Sequence, residues 1–349
     1  MPSGELLKYK ARLCAHGGQQ QWSVNYWETY APVANWASVR LLLALSHIFG
    51  LESKSIDFVL AFPQAVLETE VYMEIPQGFD RVYDSDSYVL KLVRSIYGLK
   101  HSNYNFYQKL RNALRARNIH PCSTDNCVYV SKQLILIVYV DDILIFSKKK
   151  CWIDLFVKSL SEGDENFELT DEGSIDKYLG VDITTHQDGT YELKQPYLTK
   201  RIIQELKLSS VETQKRSTPV ACPLLHKDLA GSERIKSWNY RSIIGMMTYL
   251  QGISRPDISM AVHQCARFSS NPKLSHERAV TRIGRYLIDT ADRGLICRVD
   301  KSKGLECFVD ADFAGGWNAK DPLNPENVLS RTGFVITYAG VPIFWRSKL

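Results

Sequence analysis

The stretch Leu134–Lys150, LILIVYVDDILIFSKKK, constrains this chain more than any other, because an almost unbroken apolar run is split by two adjacent acids, Asp141 and Asp142. Its arms, 134–140 and 143–146, are rich in β-branched and aromatic residues, which predicts two short buried strands with the acids at or near the turn. A helix is the weaker reading. The run is also too short and too acidic to span a bilayer, which takes about 20 mostly apolar residues. Two neighbouring carboxylates beside a core repel each other and resist desolvation unless a divalent metal or basic side chains stand nearby. On this stretch alone, a metal site and a solvated hairpin tip fit equally well.

With 349 residues, 45% hydrophobic and 23% charged, the chain has enough material for one large core or two to three smaller ones. The opening MPSGELLKYKARLC has no apolar segment followed by a small-residue cleavage site, so an intracellular, unsecreted protein is expected. Eight cysteines carry no CxxC pair and no His cluster of zinc spacing, and are expected to be reduced and mostly buried. A net charge of +5 suits a polyanion partner. Basic groups recur in YKARL, SKKK, LTKRIIQELK and HERAVTRIGRYL, each of which, taken alone, reads better as a solvated face.

SVRLLLALSHIFG predicts a helix with Ser38 as N-cap and Gly50 as stop, leading into a strand, SKSIDFVLAF. NYNFYQKLRNALRARN predicts a second helix with Tyr104, Tyr107, Leu110 and Leu114 on its apolar stripe. An α+β domain over residues 1–195 is expected, then a helical block over 196–300, then strand-like segments over 301–349. Asp57, flanked by Ile56 and Phe58, is the natural companion of the acid pair, since a metal held by hard oxygens draws ligands from more than one segment. If the strands are neighbours, Asp57 faces Asp141.

YVDD between apolar strands, preceded by IDFVLAF, resembles the palm of reverse transcriptases of Ty1/copia-type retrotransposons. The resemblance extends over essentially the whole chain, through YKARLCAHGG, NYWETYAPVANWASVRLLLALS, VYMEIPQGF, LVRSIYGLKHSNYNFYQKL, DKYLGVDI, YRSIIGMMTYLQGISRPDISMAV and FVDADFAGGW, in the family's order. It implies a right-hand polymerase: partial fingers and the palm, with an antiparallel sheet, over 1–195, a helical thumb or connection over 196–300, and the truncated beginning of an RNase H-like α/β domain over 301–349. The implied reaction is RNA-directed DNA synthesis, with RNA template, DNA primer and dNTPs as partners and two Mg²⁺ ions, replaceable by Mn²⁺, held by Asp57, Asp141 and Asp142. The chain lacks GxxxxGK[ST], G-x-S-x-G and HExxH, as two-metal transfer without a protein nucleophile allows.

The same resemblance implies nucleotide contacts from Lys10, Arg12, Phe62, Gly98, Lys100, His101 and Tyr139, with Phe62 excluding a 2′-hydroxyl. It implies a primer-gripping hairpin at Tyr178, Leu179 and Gly180, and phosphate contacts from Arg278, Arg282 and Arg285 on one face of a helix whose other face carries Ala279, Ile283 and Leu287. Asp310 and Asp312 stand where an RNase H site begins; its remaining acids are expected beyond Leu349, so no RNase H activity is expected of this chain. His101 replaces the family's usual Gln and would make its contact pH-dependent, and FPQA replaces an FLNG-like turn. The alternative to an active polymerase is a catalytically idle retrotransposon remnant that at most binds nucleic acid.

Overall fold

The structure, a computed structural model, describes residues 11–79, 86–208, 216–220, 225–317, 322–323 and 325–349. In chain order the first elements are α1 (Trp36–Phe49), β1 (Glu52–Phe58), β2 (Val66–Met73), β3 (Leu90–Arg94) and α2 (Ser102–Ala116). They are followed by β4 (His120–Pro121), β5 (Val128–Val130), β6 (Leu134–Tyr139), β7 (Asp142–Ser147), α3 (Lys150–Glu162) and β8 (Leu169–Gly173). Next come β9 (Lys177–Tyr178), β10 (Val181–Thr185), β11 (Tyr191–Lys194) and the helices α4 (Pro196–Glu205), α5 (Tyr240–Ile253), α6 (Ser259–Ala266) and α7 (Leu274–Asp289). The chain closes with β12 (Leu295–Cys297), β13 (Leu305–Ala311), β14 (Thr332–Tyr338) and β15 (Val341–Lys348). Among the described residues no helix is long and apolar enough to cross a membrane.

Two compact units emerge: residues up to 35 with 50–174, and 36–49 with 175–349. The break thus falls at 174/175, not at the 195/196 expected from composition. Its cause is a long-range pairing: β9, β10 and β11 form a four-stranded sheet with β12, a strand far along the chain. Helix α1 belongs to the second unit because Arg40, 2% exposed, donates from Nε to the Ile343 carbonyl (2.7 Å) and from Nη1 to those of Gly252 and Ile253 (3.0 Å each).

The first unit is built on an antiparallel sheet of order β4-β5-β6-β7-β1-β8. Period-two alternation turns Ile56, Phe58, Leu136, Val138, Ile143 and Ile145 into a core shared with Phe106, Leu110 and Leu114 of α2 and Phe156 and Leu160 of α3. The buried stripe of α2 therefore runs through Phe106, with Tyr104 and Tyr107 only half-buried, because this ring and not the two tyrosines meets Phe58 (5.3 Å, edge-on). Helix α1 begins at Trp36, two residues before Ser38, and Gly50 ends it at φ +59°, the left-handed position that glycine takes without strain.

In the second unit α4 to α7 bury Ile202, Ile243, Met247, Leu250, Val262, Val280, Ile283 and Leu287 together. A three-stranded sheet, β13-β14-β15, stands beside them in sequence. All seven described cysteines are free thiols, and of these only Cys127, Cys265 and Cys297 are buried, fewer than expected.

Candidate active site

The hairpin puts its acids at one end of the sheet. Tyr139 pairs with Asp142, leaving Val140 and Asp141 as a two-residue turn. Val140 has φ +56°. Such a turn ordinarily takes glycine at its first position, and a β-branched residue held there stores about 1–3 kcal/mol of strain, which persists only where the surroundings over-determine it. Those surroundings include a hydrogen bond from the Phe58 N–H to the Asp141 carbonyl (3.0 Å), which ties the turn to the end of β1.

Strand β1 runs antiparallel to β7 with Asp57 directly opposite Asp142. Directly paired residues point to the same face, with Cβ atoms about 4.5–5.5 Å apart. The face is the one opposite Ile56 and Phe58, so both carboxylates lie away from the helical core. The expected Asp57–Asp141 pairing is therefore corrected by one residue: the turn takes Asp141 out of the ladder and gives Asp142 its place. Tyr139 lies across the same rung.

A fourth carboxylate, which the sequence reading missed, joins them. Strand β8 flanks β1 with Ser55 opposite Gly173 and Ile56 opposite Asp171, so Glu172 is the extra residue of a β-bulge. Asp171 is drawn away by Lys54 (2.6 Å) and caps the Gly173 N–H (3.0 Å). The acid pair followed by glycine in TDEGS was the available signal. Burial, reinforced by repulsion from Asp141, Asp57 and Glu172, pushes the Asp142 carboxyl up to about 7.

This shift has a stability consequence. A carboxyl ionising near 4 when unfolded and near 7 when folded stabilises the fold below the lower value, and that contribution is lost as pH rises through the upper one. Asp142→Asn should therefore stabilise the metal-free protein by about 1–2 kcal/mol at pH 8.5, a figure reduced because water reaches part of the group, and the gain should fade toward pH 4. Thermal melts in EDTA at the two pH values check this.

The donor set is chemically suited to a hard divalent cation: carboxylate oxygens from two strands and a turn, mutually repelling. Among the described residues, however, no three acidic, histidine or cysteine side chains close round a common point as metal ligands would.

The other expected nucleotide contacts gather partly in the same unit. Phe62 opens a one-turn 3₁₀ helix, Phe62–Gln64, its ring 4.9 Å from that of Tyr97, and the Arg12 guanidinium lies 5.0 Å over the same Tyr97 ring. Lys100 donates to the Tyr26 hydroxyl (3.1 Å) and the Gln20 carbonyl (3.3 Å). Gly98, at φ +90°, is approached closely by this chain's own backbone: a Cβ there would meet the Ala15 carbonyl oxygen at 2.0 Å. His101 is 4% exposed, with Nδ1 3.5 Å from the Gln20 amide. Burial pulls its pKa below the usual imidazole value. Lys10 lies outside the described residues.

In the second unit, Leu179 (φ +49°) and Gly180 (φ +77°) form the two-residue turn between Tyr178 and Val181, and the Tyr249 hydroxyl donates to the Leu179 carbonyl (3.1 Å). Tyr178 is 3% exposed and packs edge-on to Trp36 (6.1 Å). Arg278, Arg282 and Arg285 line one cleft of about 660 Å³, with Arg278 exposed and Arg282 bonded to Thr218 (2.7 Å). The buried stripe of α7 is Val280, Ile283 and Leu287, with Ala279 only half-buried. Asp310, exposed on β13, lies opposite Gly333; Asp312 accepts from the Arg331 backbone N–H (2.7 Å) and so ties the two ends of a loop.

Helices and antiparallel sheets mixed in this way, with acids at the end of a hairpin, are consistent with a reverse transcriptase domain. A family model described as reverse transcriptase (RNA-dependent DNA polymerase) matches residues 4–221, and the chain belongs to that family. It is 31% identical over 360 residues to the retrovirus-related Pol polyprotein from transposon TNT 1-94 of Nicotiana tabacum, covering 99% of this chain and 26% of the relative. It is 30% identical over 351 residues to the corresponding polyprotein from transposon RE1 of Arabidopsis thaliana, covering 99% and 23%. A putative transposon Ty5-1 protein of Saccharomyces cerevisiae is 26% identical over 298 residues, 84% of this chain and 92% of that protein. The chain thus spans about a quarter of the two longer, copia-type relatives.

Proposed function

We propose that the chain is an RNA-directed DNA polymerase whose centre is the sheet end carrying Asp57, Asp141 and Asp142. The observation that carries this reading is the register: Asp57 and Asp142 share a rung while the Phe58 N–H holds Asp141 beside them. Asp57 and Asp141 would be the main ligands of two Mg²⁺ ions, or Mn²⁺ in their place, with Asp142 completing the set. The ions supply charge neutralisation at the primer 3′-hydroxyl and the triphosphate. The residues supply the rest: a stiff two-strand platform, a turn locked by backbone bonding, and a carboxylate cluster whose mutual repulsion a bound cation would reduce.

Phe62 stands five residues beyond Asp57, braced by Tyr97, where a flat ring favours deoxynucleotides. Arg12 and Lys100 supply positive charge for the triphosphate. The Tyr178–Gly180 turn would grip the primer, and the arginine face of α7 would track the phosphate backbone of the RNA template and DNA primer as a thumb. The sheet β13-β14-β15 would open an RNase H-like domain with Asp310 as its first acid.

The second reading, a chain that binds nucleic acid without catalysis, draws on the acidic side chains not closing round a common point. Primer extension separates the two. The full chain, given a DNA primer on an RNA template with dNTPs and Mg²⁺, should add nucleotides to the 3′ end. A folded chain that retains primer-template and adds none would establish the second reading.

A further inference from the structure

We infer that Gln64 is a positioning residue for Phe62, and through it for the choice of sugar; this rests on the polymerase reading above. Gln64 ends the short 3₁₀ turn that Phe62 begins, two residues away. Its side chain behaves like an added peptide unit at the sheet edge. Nε2 donates to the Val59 carbonyl (2.6 Å) and the Glu168 carbonyl (2.8 Å), and Oε1 accepts from the Glu168 N–H (3.0 Å). Both the amide's donors and its acceptor are therefore engaged, which fixes its orientation.

The consequence is a loop clipped at both ends. At its start the Val59 N–H donates to the Glu168 carbonyl (3.0 Å), and at its end Gln64 reaches back to the same residue and to Val59 itself. Between the clips the chain passes through Leu60 at φ +49°, a left-handed conformation that costs a branched L-residue energy and must be held from outside. The Gln64 main chain is anchored as well: its carbonyl accepts from Lys109 Nζ (3.0 Å), which also bonds the Glu165 carbonyl (3.1 Å). Phe62 sits at the tip of this clipped loop, with its ring against Tyr97.

A ring that excludes a 2′-hydroxyl works by distance, and a displacement of about 1 Å at a reacting centre can cost about 10²-fold. Releasing the Gln64 clip should let the loop tip drift and relax that exclusion without touching the carboxylates. The fold should survive, since Val59, Gln64 and Glu168 line a cleft of about 1140 Å³ from which water can replace the lost bonds.

The test measures ribonucleotide against deoxynucleotide incorporation (the ratio of kcat/KM values) by the full chain on one primer-template. Four proteins are compared: wild type, Gln64→Ala, Phe62→Val and the double variant. Phe62→Val should relax discrimination by about 10²-fold and Gln64→Ala by about 10-fold, while adding Gln64→Ala to Phe62→Val should change the ratio no further. An unchanged ratio in Gln64→Ala, or a multiplicative effect in the double variant, overturns the inference and leaves the reading of Phe62 intact. An unchanged ratio in Phe62→Val, or no extension by the wild type, overturns the underlying reading and the inference with it.

Discussion

Asp141→Asn should reduce single-nucleotide incorporation by at least about a thousandfold, on the order of 4 kcal/mol of transition-state stabilisation. The substitution keeps the shape of the side chain. It also keeps the bond that locates the turn, because the Phe58 N–H is received by the backbone carbonyl of Asp141 and not by its carboxylate. On the proposed reading, what would be lost is one negative oxygen ligand for the metal that activates the primer hydroxyl. Thermal stability and primer-template binding should stay within about 1 kcal/mol of wild type, since the position is half-buried and the strained Val140 turn is untouched. A loss smaller than tenfold, measured by quenched single-turnover extension, would remove Asp141 from the centre.

Arg40→Ala should be the most damaging single change to the second unit. The guanidinium is 2% exposed, bonded to three backbone carbonyls and seated 4.1 Å over the Trp345 ring. Burial lowers its pKa to about 10, which still leaves it charged at pH 7. Alanine would strand the carbonyls of Gly252, Ile253 and Ile343 and leave a void beside the indole, at a cost of about 3–5 kcal/mol. Lysine should recover only part of this, because it lacks the planar fork that serves several acceptors at once and stacks on the ring. Urea unfolding followed through Trp345 and the other indoles checks the order wild type, Arg40→Lys, Arg40→Ala; an Arg40→Ala protein as stable as wild type would show that these bonds contribute nothing net.

Much of the candidate site was legible in the chain because alternation and apolar run length are strong signals. The arms of the acidic hairpin, the acid in IDF and the helices on either side all follow from them. The exact rung was not legible. A two-residue turn is usually announced by Gly or Asn, and Val140–Asp141 carries neither, so nothing in the letters showed that Asp142 and not Asp141 would face Asp57. Glu172 was hidden for a related reason: a bulge shifts register by one residue, and only the glycine after it hints at the shift.

Long-range polar contacts were the other blind spot. Arg40 looks like one more basic residue at the start of a leucine-rich helix, yet its partner Ile343 lies 303 positions away, and that contact helps assign α1 to the second unit. Nor did the sequence show that Gly98, expected to contact the nucleotide, is closely approached by the Ala15 segment of the same chain. Gln64 drew notice only as part of an unusual turn. Its three side-chain bonds converge on Val59 and Glu168, which the sequence separates by more than a hundred residues.

If Asp57 and the hairpin acids form one metal centre, the metal can be mapped directly on the backbone. Fe²⁺ loaded in place of Mg²⁺, with ascorbate and peroxide, cuts the chain next to its ligands, and mass spectrometry reads the fragments. The account predicts paired cleavage near residue 57 and near residues 140–142, suppressed by excess Mg²⁺ and weakened in Asp57→Asn. Cleavage at only one of the two segments, or at neither while the protein remains folded, would contradict it.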